Sequence, residues 1–85
     1  MPYQVYILRN QAGRNYIGLS ENVARRLAQH NSGQSRWTRN RGPWQLCWES
    51  QELHLAESRR LELLLKRQKG GVGLYRLTGL PRPGS

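Results

Sequence analysis

The sequence predicts a small α+β domain, in which a three-stranded sheet is flanked by helices in the order β-β-α-β-α. Three short runs are rich in β-branched and aromatic residues, two longer stretches carry apolar residues at helical spacing, and turn residues separate them. With 85 residues the chain has room for a single domain. We expect this domain at residues 1–77, followed by a flexible Pro- and Gly-rich tail at 78–85.

The first two predicted strands form a hairpin. Residues 3–8 read Tyr-Gln-Val-Tyr-Ile-Leu and residues 15–19 read Asn-Tyr-Ile-Gly-Leu, two compositions typical of strands. Between them lie turn residues that include Gly13, which suits a positive φ angle. A third strand is predicted at residues 44–49, where large apolar residues alternate with smaller or polar ones.

Two amphipathic helices are predicted. The first covers residues 21–31, with Ser20 as the N-cap and the Asn-Ser-Gly triplet at 31–33 as its end. The second runs from about Glu52 to Lys69, where a pair of glycines stops it. The stretch at 72–77 is too short for an assignment.

Charge and composition narrow the classes of function. The net charge is +9, from 14 basic and 5 acidic residues, which favours a nucleic-acid partner but is also typical of ribosomal and membrane-surface proteins. Every acidic residue is a glutamate, so Asp-based triads and metal cages are excluded. Cys47 is the single cysteine, which excludes an intrachain disulfide. Without a long apolar run or a signal-peptide layout, we expect a cytoplasmic protein.

Four side chains in the first half of the chain are candidates for a catalytic site. Tyr6 and Tyr16 lie in neighbouring predicted strands, where they would also serve as ordinary cross-strand packing. Arg26 and His30 are four residues apart on one helix face. That pair could cradle a phosphodiester, or could simply be solvated.

Glu62 is the candidate metal ligand. On the second predicted helix it precedes Lys66 by four residues, which is the spacing of a surface ion pair. The functional alternative is that it serves as the one carboxylate ligand of Mg²⁺, an ion that keeps several waters and takes other ligands from substrate phosphates.

Taken together, the order and spacing of these residues resemble the GIY-YIG nuclease family. The motifs that carry the resemblance are a degenerate Val5-Tyr6-Ile7, a literal Tyr16-Ile17-Gly18, the stretch Arg25–Gly33 (Arg-Arg-Leu-Ala-Gln-His-Asn-Ser-Gly), and Glu62–Lys66. The resemblance covers roughly residues 3–69. It is to short standalone bacterial members, and the family also includes the N-terminal nuclease domain of a bacterial excinuclease.

The resemblance implies a metal-dependent endonuclease that hydrolyses DNA phosphodiester bonds. It would be structure-selective or weakly specific, in DNA repair or recombination. By resemblance, Tyr16 activates the nucleophile with help from Tyr6, and Arg26 steadies the scissile phosphate. His30 would lie near the attacking water, and Glu62 would hold Mg²⁺ or Mn²⁺. Because a free tyrosine is a weak base at neutral pH, the residues leave open whether Tyr16 or His30 takes the proton.

Basic and aromatic residues outside this set are predicted to contact DNA, including branched or single-stranded forms. The predicted contacts are Arg25, Arg36, Trp37, Arg39, Arg41 and Lys66. Most of them fall in a polar loop at 33–43, which we expect to be flexible. Trp37 could stack on an unpaired base or be partly buried. Trp44 and Trp48 are expected in the core, because they alternate in a strand.

Two departures from the family pattern keep an alternative function open. Several family members place a lysine soon after Tyr-Ile-Gly, but Leu19 and Ser20 stand here. Many also have an asparagine beyond the catalytic glutamate, but the last asparagine of this chain is Asn40. The alternative is a catalytically weak DNA- or RNA-binding module of the same fold. A ribosome- or RNA-associated basic protein is a further rival, and the sequence leaves the oligomeric state open.

Overall fold

The computed structural model describes residues 2–68 and 72–80. Its elements are β1 (Gln4–Asn10), β2 (Asn15–Ser20), α1 (Val23–Asn31), β3 (Trp44–Glu49), α2 (Leu55–Arg67) and α3 (Val72–Thr78). The predicted α+β class and the order β-β-α-β-α are confirmed, and α3 follows as an additional helix. Within the described residues, no helix has the length and apolar character needed to cross a membrane.

The sheet is antiparallel, with β1 in the centre and strand order β2-β1-β3. Because side chains alternate along a strand, β1 supplies apolar residues to both faces. The two core clusters are Val5, Ile7, Leu65 and Leu74 on one face, and Tyr6, Leu8, Val23 and Trp44 on the other. Residues 5–8 are therefore all buried. This double burial fixes the position of the one candidate catalytic residue on β1.

The register of the hairpin determines how the two tyrosines meet. Tyr6 pairs with Gly18, whereas Tyr16 pairs with Leu8. The tyrosines are thus diagonal neighbours on one face of the sheet, two residues out of register, which is still within the reach of aromatic rings. Gly13 in the connecting turn has φ +81°, as the turn chemistry predicted.

The first helix starts later than predicted, because a different residue caps it. The side-chain oxygen of Asn22 accepts a hydrogen bond from the backbone N–H of Arg25 at 3.0 Å. Ser20 instead accepts from the backbone N–H of Asn22 at 2.9 Å, which stabilises the turn before the helix. Both residue types are good N-caps, and they stand two residues apart, so the sequence alone did not separate them. The predicted end holds, with Gly33 at φ +82° just beyond the helix.

The second helix is shorter than predicted at its beginning. Leu53 exchanges two backbone hydrogen bonds with Tyr3, both of 2.8 Å, so the chain at that point pairs as a strand. The helix begins only at Leu55. The buried face of this helix is also narrower than its apolar residues at helical spacing predict, because Leu65 is fully buried but Leu64 is exposed. The predicted end at Lys69 and the glycines after it lie outside the described residues.

Helix α3 occupies the stretch that was too short to assign. Its buried residue, Leu74, joins Val5 and Leu65 in the core, so tertiary packing holds this one short helix in place. The expected tail at 78–85 begins with Thr78, the last residue of α3. Residues 81–85 lie outside the described part of the chain, so the expectation of a flexible tail is untested.

Candidate active site

A buried chain of hydrogen bonds joins three side chains from three parts of the fold. The hydroxyl oxygen of Tyr6 on β1 lies 2.9 Å from Nε2 of His30 on α1. Nδ1 of the same ring lies 2.7 Å from the hydroxyl oxygen of Thr38, in the loop between α1 and β3. The three residues are only 1 or 2% exposed. A neutral imidazole carries one proton, so one of its partners must donate and the other must accept.

Tyr16, on the edge strand β2, packs against the hydrogen-bonded side chains of Tyr6 and His30. Its ring centroid lies 4.6 Å from that of His30 and 6.3 Å from that of Tyr6. The Trp44 ring also neighbours Tyr16, 6.4 Å away in an edge-on arrangement. Tyr16 is half-buried, so part of the residue remains accessible to solvent while its ring packs against His30. Three of the predicted site residues, Tyr6, Tyr16 and His30, are thereby brought together.

Burial keeps the site uncharged at Tyr6 and His30. Burial raises the pKa of Tyr6; the neighbouring Arg26 guanidinium opposes this, and the negative charge of Glu62 adds to it. The pKa of His30 is lowered, first by burial and then by the positive charge of Arg26. At neutral pH the Tyr6 hydroxyl is therefore protonated and the His30 ring is neutral. The charges of Arg26 and Glu62 thus both act on the pKa of the Tyr6 hydroxyl.

The two charged candidates are each held by a neighbour on the same helix. Arg26 is half-buried, and its Nη1 donates to the side-chain oxygen of Gln29 at 2.6 Å. Glu62 on α2 forms the predicted i,i+4 ion pair, with Lys66 Nζ lying 3.2 Å from its Oε2. An ion pair of this partly exposed kind contributes only about 0–1 kcal/mol. It is therefore weak enough to be exchanged for another ligand.

A metal at this site would rely on few protein ligands. Across residues 2–68 and 72–80, no three His, Cys, Asp or Glu side chains lie close enough together to form a metal cage. That donor set does not fit zinc, which takes three or four protein ligands. It does fit Mg²⁺ or Mn²⁺ held by one carboxylate, water and substrate oxygens, with Glu62 as the protein ligand.

Gly18 is required by the close approach of the two tyrosines. A Cβ atom at this position would lie 2.6 Å from the Tyr6 hydroxyl oxygen and 3.1 Å from Cε2 of Tyr16. Both distances are shorter than normal carbon contacts, and Tyr6 is buried and has no room to move. The glycine of the Tyr-Ile-Gly triplet thus lets the Tyr6 ring lie directly against the backbone of β2.

The predicted DNA-contacting residues are exposed, and part of the group borders Tyr16. Arg25, Arg36, Trp37, Arg39, Arg41 and Lys66 are all exposed. A groove beside Tyr16 is lined by three of them, Trp37, Arg41 and Lys66, whereas the other three lie outside it. Trp37 is 73% exposed, which excludes the core explanation, and Trp44 is buried as expected.

The loop that carries most of these residues is folded back by hydrogen bonds, in contrast to the expected flexible arm. The indole N–H of Trp44 donates to the backbone oxygen of Thr38 at 3.1 Å. Nε of Arg39 donates to the backbone oxygen of Gly33 at 3.0 Å. The side chain of Asn31 donates to the Trp44 oxygen and accepts from its N–H, at 3.0 and 2.7 Å. The hydrogen bonds of Thr38, Gln29 and Asn31 were not predicted from the sequence, because an irregular loop and a helix surface show no pattern that marks them.

The fold and this site define a GIY-YIG catalytic domain. The family model described as the GIY-YIG catalytic domain matches residues 2–74, and the chain belongs to the GIY-YIG family. Among its relatives, it is similar to the UPF0213 protein of Aeromonas salmonicida, with 40% identity over 67 residues that cover 78% of this chain and 49% of the relative. A UPF0213 protein of Nitratidesulfovibrio vulgaris is 40% identical over 65 residues, which cover 75% of this chain and 59% of the relative.

A solved structure supports the same assignment. The solution NMR structure of the UPF0213 protein BH0048 from Bacillus halodurans matches with a TM-score of 0.58 and 33% identity. The match covers 95% of this chain and 89% of that one. The chain spans about half the length of the Aeromonas relatives it matches.

The close approach at Gly18 generates the first prediction. Gly18→Ala should lower the free energy of unfolding by about 1–3 kcal/mol, because the added methyl group overpacks the Tyr6 ring. Urea unfolding followed by circular dichroism measures this change. The matched control is Gly13→Ala, where the new methyl group meets nothing within 4 Å and only the backbone, at φ +81°, is strained. Only Gly18→Ala should also shift the imidazole resonances of His30, and a variant with the parent's stability and resonances would contradict the prediction.

The buried threonine generates the second prediction. Thr38→Val keeps the shape of the side chain but removes the hydroxyl that satisfies Nδ1 of His30. We expect a loss of about 1–3 kcal/mol in unfolding free energy, the cost of an unsatisfied buried polar group. We also expect the ¹⁵N shifts of the His30 ring to change, and Thr38→Ser should restore both quantities in large part. Unchanged ring shifts in Thr38→Val would show that Thr38 does not set the protonation of the ring.

Proposed function

We propose that this protein is a metal-dependent endonuclease that hydrolyses phosphodiester bonds in DNA, including branched or single-stranded forms, and that it acts in repair or recombination. The observation that supports this best is the Tyr6–His30 hydrogen bond beneath the Tyr16 ring. The charges of Arg26 and Glu62 act on the pKa of the same Tyr6 hydroxyl. These are the residues that the family resemblance assigns to catalysis. The single free Cys47 is consistent with a reducing compartment, the cytoplasm.

In the proposed reaction, the chain's own residues orient the nucleophile and neutralise charge. Tyr16, once its hydroxyl has released its proton to solvent, positions the attacking water and takes one proton from it, while Tyr6 is held in place by His30. Arg26 places its guanidinium against the scissile phosphate, where negative charge develops in the transition state. A divalent cation on Glu62, when bound, supplies Lewis-acid stabilisation of the departing oxygen.

His30 fits better behind Tyr6 than against the water. Both of its ring nitrogens lie within hydrogen-bond distance of protein hydroxyls, and the residue is 2% exposed. In that position its neutral ring orients the Tyr6 hydroxyl. The alternative, in which His30 takes the proton of the water directly, stays open and is tested together with Tyr16 below.

The exposed cations support DNA binding in the proposal. Arg25, Arg36, Arg39, Arg41 and Lys66 can each neutralise a phosphate, which would make affinity fall steeply with salt concentration. A second candidate function is binding of DNA or RNA without efficient cleavage. It is favoured by the ion pair of Lys66 with Glu62, the one proposed protein ligand of the metal.

A glutamate substitution separates the two candidate functions. Glu62→Gln should reduce metal-dependent cleavage of a labelled oligonucleotide by about 10²–10³-fold, the usual effect of losing one electrostatic group in a site. DNA affinity, measured without divalent cation, should stay within twofold, because no phosphate-binding cation is removed. The control Glu57→Gln removes the same charge from the exposed first turn of α2 and should keep the parent's cleavage rate. Parent-like cleavage in Glu62→Gln would reduce Glu62 to a surface ion-pair partner.

The choice of proton acceptor is tested at Tyr16. Tyr16→Phe keeps the ring that packs on His30 and deletes the hydroxyl, so folding should be preserved. Cleavage should fall by about 10²–10⁴-fold, the range for a general acid–base contribution. Arg26→Lys keeps the charge but loses the planar fork, and we expect a large loss of rate with little loss of binding. Full activity in Tyr16→Phe, at an unchanged melting temperature, would move the proton acceptor to His30.

A further inference from the structure

A groove with a volume of about 660 Å³ opens at the edge of the sheet, beside Tyr16. It takes its walls from the turn between β1 and β2, from the loop between α1 and β3, and from α2 and α3. Because β2 is an edge strand, these elements reach the groove from both faces of the sheet. Its volume lies within the range of about 300–1,000 Å³ that small-ligand sites occupy.

The lining of the groove has the chemistry of a nucleotide site. Arg14, Arg41 and Lys66 place cations around it, and no acidic residue of the described chain lines it. Trp37 offers an indole that is 73% exposed at its margin. Aromatic faces next to cations are the combination with which proteins hold unpaired bases and their phosphates.

We propose that this groove binds one unpaired nucleotide of a DNA strand next to the scissile phosphate. The base stacks on Trp37, and the phosphates on either side of it lie against Arg14 and Arg41. The proposal rests on the proposed function, because Tyr16 belongs to both the groove and the catalytic site. It names the substrate class more narrowly, as DNA with an unpaired stretch at the cleavage point.

An unpaired base fits the groove better than a base pair for a simple reason. Within a duplex, the faces of each base are covered by the bases above and below, and only the edges reach the grooves. Trp37 offers a flat face and no hydrogen-bonding fork, so it can contact a base well only where the face of that base is free. Duplex DNA can still reach the exposed cations outside the groove, but it forgoes the contacts with the indole and with the groove cation Arg14.

The test measures binding without cleavage. A fluorescently labelled (dT)10 strand and a blunt 10-base-pair duplex are titrated with the protein in EDTA at one fixed salt concentration, and anisotropy is recorded. The parent should prefer the single strand. Trp37→Ala should weaken single-strand binding by about 5- to 150-fold, the range for losing one stacked base. Its duplex binding should stay within twofold, and its melting temperature should match the parent's, because the side chain is exposed.

A pair of charge variants checks that the effect belongs to the groove. Arg14→Gln should lower the preference for the single strand over the duplex and flatten the salt slope by about one unit. Arg60→Gln removes the same charge from an exposed position on α2 outside the groove, and should leave that preference unchanged. Equal loss of preference in the two variants would show that overall charge, and not the groove, selects the strand.

Two outcomes of the Trp37→Ala titration overturn the proposal. One is parent-like binding of (dT)10 by Trp37→Ala, and the other is equal weakening for single strand and duplex. A parallel titration with (rU)10 tests the sugar, and a tenfold preference for RNA would overturn the assignment to DNA. These results are separable from the nuclease proposal. A parent that binds single strands through Trp37 but cuts no DNA refutes only the proposed catalysis, whereas an active Trp37→Ala with unchanged affinity refutes only the groove.

Discussion

Two hydrogen bonds to the ring of His30 hold the site together. They join Tyr6 on the central strand to Thr38 in the loop, through a side chain on α1. All three groups are buried, so the loss of either bond leaves a polar atom without water to replace its partner. The ring therefore ties strand, helix and loop into one arrangement, and the Tyr16 ring packs against it.

The central strand makes this arrangement possible. Because β1 is covered on both faces, packing alone already holds the Tyr6 side chain in place, and the hydrogen bond to His30 adds to this. Gly18 on the neighbouring strand then lets the Tyr6 ring lie against the backbone. A domain of 85 residues buries only a modest core. Burying the polar side chains of Tyr6, His30 and Thr38 in that core costs desolvation free energy, and their hydrogen bonds to one another offset this cost.

The regular elements could be predicted because their patterns are periodic, and most of the errors fall where no periodicity operates. The hairpin, α1, β3 and α2 were predicted from alternation, helical spacing and turn residues. Helix α3 was missed because it is one short segment held by the burial of Leu74, and packing with distant residues cannot be read from local sequence. Thr38 was missed for a related reason, since its hydroxyl matters only because the loop folds back onto His30. Tyr6, Tyr16, Arg26 and Glu62 were proposed as site residues from the order of the motifs, which carries no information on distances.

Neighbouring residues of the loop face the core and the groove. Thr38 points inward to His30 and is 1% exposed, whereas Trp37 beside it is 73% exposed at the margin of the groove. The backbone oxygen of Thr38 is held by the buried Trp44, so this part of the loop is anchored where the two directions diverge. Tyr16 then closes the arrangement, because its ring lies on His30 and also lines the groove. A strand held at Trp37 would consequently rest on the same anchored segment that orients His30. In the proposed function, binding of the strand and orientation of the buried ring therefore share one structural support, and a substitution that loosens the loop would disturb both.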